Sequence, residues 1–218
     1  MKDMEKRIIK TLCTKASNKQ LVHRQALASF DLLKTVLKLV AKSLNDQVCR
    51  VDKHVVVEYV ERSEHEVGIT FSGDTLIFLF HSNAFKLPDD HFLLATPYVR
   101  EDANRKYYGL IHAYNFLSDS MKMRRMNDLG TLLSRLLING EGHHFAEGGT
   151  GLSMPLTENG LDEAILKSWV ERLMIHAMDM DLVIADFTDF REITVMELEG
   201  LRSELRLQTS KRLGFRPS

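Results

Sequence analysis

The segment HHFAE contains the residues of this 218-residue chain that are best suited to metal chemistry. If the segment is a β-strand, His143 and Glu147 project from one face and His144 from the other, because side chains alternate along a strand. Imidazole and carboxylate are usual zinc ligands, but a site needs at least three protein ligands. The third ligand would come from His112 or His81 on neighbouring strands. A metal-dependent enzyme with a site of His143, Glu147 and His112 is therefore one functional hypothesis.

A hydroxyl nucleophile requires a base within hydrogen-bond distance, and the sequence offers no convincing pair. Ser118 lies in the polar run NFLSDS, and His112 is near it along the chain. The two residues are six positions apart, or about 20 Å along a strand, which is too far for a hydrogen bond. Cys13 and Cys49 stand alone, so no disulfide framework or cysteine-based zinc site is visible. The sequence therefore predicts no cofactor and favours a non-enzymatic binding or assembly module over an enzyme.

The charge of the chain is divided unevenly between its two ends. The net charge is -1, but residues 1–50 contain 11 Lys and Arg against 4 Asp and Glu, or +7. The remaining residues contain 18 Lys and Arg against 26 Asp and Glu, or -8. The overall balance gives no signal for nucleic acid, an anionic membrane or an acidic substrate, whereas the basic front can pair with an acidic surface.

Two groups of basic residues form a candidate basic surface. Three lysines recur every four residues on a predicted helix, and three further cations cluster in a predicted loop. Phosphate backbones favour such clustering, so nucleic-acid binding through the basic N-terminal helices is a second alternative. A row of lysines is also the ordinary solvated face of a helix, and no recognition motif accompanies it. The six residues are Lys34, Lys38, Lys42, Lys122, Arg124 and Arg125.

Residues 24–48 have the apolar period of a long helix. A second apolar row, formed by Leu32, Val36 and Leu39, widens the stripe beyond what one sheet face usually covers. We therefore expect residues 24–48 to mediate self-association or to bind a protein partner, unless C-terminal helices cover the second row. The main row consists of Leu27, Phe30, Leu33, Leu37, Val40, Leu44 and Val48.

The middle of the chain changes to a period of two, which is typical of strands. Residues 54–81 predict three antiparallel strands, because the short connections between them exclude a parallel crossover. The segments 107–121 and 129–138 fit both a helix and a strand, and the strand is favoured. Asn139 and Gly142 have the spacing of a type I turn with a bulge, which favours a hairpin leading into a strand over residues 143–147.

The C-terminal part predicts helices, so the fold class is α+β. Asn159 and Asp162 are suitable caps for one helix, and Thr194 and Glu197 have the capping-box spacing for a last one. The expected fold is an antiparallel sheet covered by a long N-terminal helix and by C-terminal helices. The chain is interpreted as one domain, 1–218, with a basic helical front (1–50), a mainly β part (51–150) and a helical part (151–218).

Three runs of residues, YNFLSDS (114–120), NDLG (127–130) and LINGEGHHFAEG (137–148), resemble a family of uncharacterised bacterial proteins. The similarity extends from about residue 50 to the C-terminal QTSKRLGF. The resemblance implies a bacterial cytoplasmic protein and carries no activity or site residue with it. The mixed charges of the first ten residues and the lack of a long apolar run agree with a cytoplasmic location and predict no membrane contact.

Overall fold

The computed structural model describes residues 2–182 and, beyond them, only residues 187, 194–196 and 199. These residues form one seven-stranded antiparallel sheet in which the strands lie in sequence order, with helices packed against one face. The predicted α+β fold class is confirmed. The strands are β1 (Val57–Ser63), β2 (Glu66–Phe71), β3 (Asp74–Lys86), β4 (Tyr107–Leu117), β5 (Thr131–Asn139), β6 (His144–Gly148) and β7 (Met154–Thr157).

The helices lie at both ends of the described chain and in the connections around β4. A π-helical turn, Leu12–Ala16, joins the first two helices into one continuous rod, and 3-10 turns at Phe92–Ala95 and Ala103–Lys106 flank the third helix. The helices are α1 (Lys2–Thr11), α2 (Ser17–Val48), α3 (Pro97–Glu101), α4 (Ser118–Lys122) and α5 (Glu163–Met178).

The three strands predicted over residues 54–81 are present and antiparallel, which confirms that prediction. The first strand begins at Val57 rather than at His54. The backbone N–H of His54 donates to the Asp52 carboxylate at 2.9 Å, which holds this stretch in a turn. Ser72 and Gly73 then form a two-residue turn that closes on the pair Phe71 and Asp74.

The two ambiguous segments are strands over most of their length. Residues 107–117 form β4, and only residues 118–122 are helical. The predicted hairpin between β5 and β6 is also confirmed. Gly142 takes a left-handed φ of 82° and donates to the Asn139 carbonyl at 3.2 Å, while the Asn139 N–H donates to His143 at 2.9 Å. The following strand begins at His144, one residue later than expected.

The main hydrophobic core lies between the sheet and the helices α2 and α5. Phe30 and Leu37 of α2, Phe78 of β3 and Trp169 of α5 are among its fully buried members. Trp169 meets Phe78 edge-on, with ring centroids 5.6 Å apart. Its indole N–H donates to the Ser134 hydroxyl of β5 at 3.2 Å, so a buried hydrogen bond anchors α5 to the centre of the sheet.

The sheet and α5 cover most of the helix face that the sequence analysis assigned to a partner. Both contact α2, and Val36 of the second apolar row is only 3% exposed. In the two rows of residues 24–48, Leu39 alone is largely exposed, at 57%. The alternative in which a C-terminal helix covers the second row therefore describes α2 better.

The N-terminal helix is longer than the sequence analysis expected. The apolar rows placed its beginning near residue 24, whereas the helical rod starts at Lys2. Residues 3–15 are all exposed. The predicted last helix, with its cap at Thr194 and Glu197, falls largely outside the described residues, so it stays a prediction. In the described part, no helix is both long and apolar enough to span a membrane.

The Ser134 hydroxyl provides a test of how α5 is anchored. We expect Ser134→Ala to lower the free energy of unfolding by about 1–3 kcal/mol, because the buried Trp169 N–H loses its acceptor. Urea unfolding followed by tryptophan fluorescence measures the change. The control is Ser29→Ala, whose hydroxyl bonds only the Gln25 carbonyl of its own helix. Equal stability of the two variants would contradict the assigned role of Ser134.

Candidate functional site

The part of the chain that the structure describes covers the sheet face opposite α2 and α5 at one end only. Residues 87–106, with α3 at their centre, fold over that end and form a second, smaller core with side chains of β4, β5 and β6. The remaining part, which we term the open face, is formed by β3, β4 and β5. Leu132 is 44% exposed there, and Leu79, Tyr114 and Phe116 are half-buried. The buried residues of the smaller core are Leu87, Leu93, Tyr98, Val99, Tyr108, Leu137 and Phe145.

A row of polar side chains, the polar lane, crosses the open face from β3 to β6. The strand register places His112 opposite Arg135 and Arg135 opposite Glu147. His81 Nε2 lies 3.1 Å from His112 Nδ1, and Arg135 pairs with Glu147. Glu147 also meets His91 Nε2 at 3.2 Å, so residue 91 joins the lane from the covering segment. Neighbouring groups in the lane thus pair with one another.

Aromatic rings continue from the polar lane along β4. The Tyr114 hydroxyl lies 3.3 Å from His112 Nδ1, and the two rings meet edge-on at 5.5 Å. The Tyr114 ring contacts Phe116 at 6.4 Å. A Cβ on Gly130 would lie 2.3 Å from the Phe116 ring, so only glycine lets the loop backbone approach this closely. The open face therefore combines an apolar, aromatic half with a polar one.

His112 is the group in the polar lane with a shifted pKa. Burial lowers the pKa of His112, and the neighbouring His81 and the Arg135 cation lower the pKa further. Lowering the pKa of an imidazole favours its neutral form near pH 7. A neutral ring keeps one nitrogen as an acceptor, and Nδ1 faces both His81 and the Tyr114 hydroxyl.

The structure separates the three residues of the hypothetical metal site. His143 and Glu147 share a face as expected, but four residues along a strand span about 13 Å, too far for one ion. His143 Nδ1 lies 2.7 Å from the Tyr98 hydroxyl, whereas Glu147 and His112 lie in the polar lane. In the described ranges, no group of three or more His, Cys, Asp or Glu side chains is arranged to hold a metal ion.

His143 instead belongs to a network at the tip of the β5–β6 hairpin. The Tyr98 hydroxyl accepts from the Asn139 amide at 2.6 Å and meets His143 at 2.7 Å. Glu141 lies 3.0 Å from His143 and also binds Arg105 at 2.9 Å. Burial raises the pKa of Tyr98 to about 12, so its hydroxyl stays protonated. This network ties residues 98–105 to the hairpin.

His144 faces the helices, on the opposite side of the sheet from His143, as the alternation predicts. The residue is 1% exposed, and burial lowers its pKa. Its Nδ1 is buried and has no hydrogen-bond partner among the residues that the structure describes. His144 is therefore a neutral core residue rather than part of the open face.

The lysine row on α2 is partly neutralised by the sheet. Lys34 lies 3.4 Å from Glu61 of β1 and donates to the Glu64 carbonyl at 3.0 Å. Lys38 lies 3.6 Å from the same Glu61 and 4.9 Å above the Tyr59 ring. The hydrogen bond from Tyr59 to Glu61 and the two nearby lysines lower the pKa of Glu61, which keeps this carboxylate charged. Lys42 is exposed.

The second basic group does not act as one surface either. Lys122 and Arg124 are exposed, whereas Arg125 is only 8% exposed. The Arg125 Nη2 donates to the Met123 sulfur at 3.1 Å. Arg125 is buried, and Lys34 and Lys38 pair with Glu61. Among the described residues, Lys42, Lys122 and Arg124 are the members of the six that are exposed and make no ion pair.

Comparison of the chain with family models, with curated proteins and with solved structures finds no match. The site therefore rests on its own geometry. Two of its members, His91 and Arg135, were missed by the sequence analysis. Arg135 had a signal, because it is the single charge within the apolar run LLSRLLIN. His91 lies in the loop run LPDDHF and had no signal, since only the fold brings it to Glu147.

Lowering the pH should destabilise the protein through His112. Its pKa lies below that of an unfolded histidine, near 6.5, so the unfolded chain binds more protons and the free energy of unfolding falls as the pH drops below about 6.5. Urea unfolding at about pH 7.5 and pH 5.5 measures this loss. We expect His112→Asn to make this loss of unfolding free energy smaller. The control, the same change at the exposed His54, should leave the loss as large as in the wild type. An unchanged loss in the His112 variant would contradict the assignment.

Proposed function

We propose that this protein is a non-enzymatic binding or assembly module that holds a protein segment against its open face. The observation that carries the proposal is the exposure of apolar side chains at Leu132 and around Tyr114 and Phe116. An antiparallel sheet with one solvated face usually presents polar side chains there. Contiguous exposed apolar surface more often marks an interaction site.

The polar lane supports binding rather than chemistry. His81 pairs with His112, and Glu147 pairs with both Arg135 and His91. Groups that satisfy one another in this way fix the orientation of a bound segment at the edge of an apolar contact. The half of the open face around Leu132 then supplies most of the binding energy, because it is the half that loses water-exposed apolar area.

The segment that fits this surface is apolar and aromatic, with polar groups at one end. Aromatic anchors pack well against Tyr114 and Phe116, since aromatic pairs stabilise interfaces beyond the area they bury. Polar groups at the other end would meet the exposed edge of Arg135, whose side chain is 44% exposed. We place the module in the cytoplasm of a bacterium, which agrees with free thiols at Cys13 and Cys49 and with the family resemblance.

Panning a phage-displayed peptide library on the immobilised protein tests the proposed function. We expect enrichment of peptides with apolar and aromatic anchors. Leu132→Glu should weaken their binding about tenfold or more, because it places a charge at the centre of the contact. Fluorescence polarisation with synthetic peptides measures the affinities, and circular dichroism checks that the variant is folded.

The matched control is Leu39→Glu, an exposed leucine on α2 at 57%. This change adds the same charge on the helix face and should leave peptide binding as in the wild type. Equal binding by both variants, or a library that yields no apolar peptide, would refute binding at the open face.

A further inference from the structure

The N-terminal arm, residues 2–16, is an amphipathic helix that no other described part of the chain covers. Residues 3–15 are all exposed. The large apolar side chains of the arm are Met4 at 68%, Ile8 at 58%, Ile9 at 53% and Leu12 at 58% exposure. Met4, Ile8 and Leu12 recur every four residues, which places them on one side of the helix. Contact with the rest of the protein resumes near Asn18, whose amide donates to the Asn104 carbonyl at 3.4 Å.

Basic residues flank this apolar row. Residues 1–16 contain five Lys and Arg against two Asp and Glu, a balance of +3. Lys6 and Lys10 follow one another four residues apart, and Lys6 lies one turn before Ile9 on the helix surface. In the described part of the chain, neither lysine makes an ion pair. The arm therefore presents a strip of apolar side chains with unpaired positive charge along one edge.

A surface of opposite charge lies at the end of α5 and in the four residues that follow it, and we term it the α5 patch. Ile175, Met178 and Leu182 are exposed by 57%, 54% and 58%. Residues 171–182 contain three acidic residues against one arginine, a balance of -2. The arginine, residue 172, points away towards the Gly151 carbonyl, to which it donates at 3.2 Å.

Asp179 and Asp181 supply most of the negative charge of the α5 patch. Both are exposed and make no ion pair among the described residues. The third acidic residue, Glu171, lies 3.7 Å from Lys167 on the same helix. The apolar row of the arm spans about 12 Å, at 1.5 Å per helical residue. In the patch, Ile175 and Met178 lie about one turn apart on α5, and Leu182 follows four residues after the end of that helix. The two surfaces are thus both apolar and carry opposite charge.

We propose that the arm of one copy docks on the α5 patch of a second copy. Both surfaces are exposed in the single chain, so neither covers the other within one molecule. Pairing of two arms with each other is disfavoured, because it brings together two segments of +3. If each copy gives its arm and receives the other, the two identical contacts close a symmetric dimer.

Complementary charge reversal tests this exchange in the full chain. The first variant is Lys6→Glu with Lys10→Glu, and the second is Asp179→Lys with Asp181→Lys. Each variant alone brings like charges together at both contacts. We expect the dissociation constant of its dimer to be about tenfold or more above that of the wild type. A mixture of the two variants pairs opposite charges at both contacts and should restore dimers. Sedimentation velocity measures all three samples.

The apolar contribution is tested by Ile8→Glu, with Leu39→Glu as the control on the same helical rod. The first change should abolish the dimer, and the second should leave it intact. Leu132→Glu should also leave it intact, which separates this contact from the open face. A wild type that is monomeric at its highest soluble concentration overturns the proposal. A dimer that survives Ile8→Glu, or charge-reversed variants that do not recover on mixing, overturns it as well.

Discussion

A seven-stranded sheet has two faces, and the described part of this chain supplies long helices for only one of them. Apolar burial between that face, α2 and α5 drives folding, and the buried hydrogen bond from Trp169 to Ser134 fixes where α5 lies. Among the described residues, the second face receives the short helical turns of residues 87–106. The open face exists because the long helices of the described chain pack on the other face of the sheet.

In the proposed function, the polar lane contributes specificity, because an apolar sheet surface alone discriminates poorly between partners. His112 and Arg135 lie opposite each other on neighbouring strands, and Glu147 continues the row on the next strand. A segment that separated these pairs and buried them without new partners would bind poorly. Their mutual pairing makes the lane a rigid boundary for the apolar half of the face.

Local patterns were sufficient for β1, β2 and β3 and for the β5–β6 turn. They fitted both a helix and a strand over residues 107–121 and 129–138, and they were insufficient for the site. The period of two over residues 57–81 and the turn residues Asn139 and Gly142 identify strands because side-chain alternation and left-handed φ are local properties. The pairing of Glu147 with His91 depends on how residues 87–106 fold over the sheet, which no local pattern encodes. Side-chain alternation correctly predicted that His143 and Glu147 share a face. The two residues are nevertheless too far apart along the strand to bind one metal ion.

The basic helical front was predicted over residues 1–50, but the apolar row of the N-terminal arm was not, for a related reason. Charges such as Glu5 and Lys15 interrupt its apolar row, whereas the row from Leu27 onwards is dense and continuous. Dense rows indicate burial within the same chain, and sparse rows with charged edges are typical of helices that remain exposed. An apolar sequence pattern therefore identifies where the buried part of a helix begins, and the helix itself can begin earlier.

The π-helical turn at Leu12–Ala16 has a consequence for the direction of the arm. At 3.6 residues per turn, Met4, Ile8 and Leu12 would point the same way around the axis as Val22, Ala26 and Phe30 of α2. A π-helical turn holds more residues than an α-helical turn, so the apolar row of the arm is rotated away from the direction of the core. The number of residues in this turn thus sets the angle of the apolar row around the helix axis. A single residue gained or lost there would rotate the arm about that axis and leave the rest of the structure unchanged.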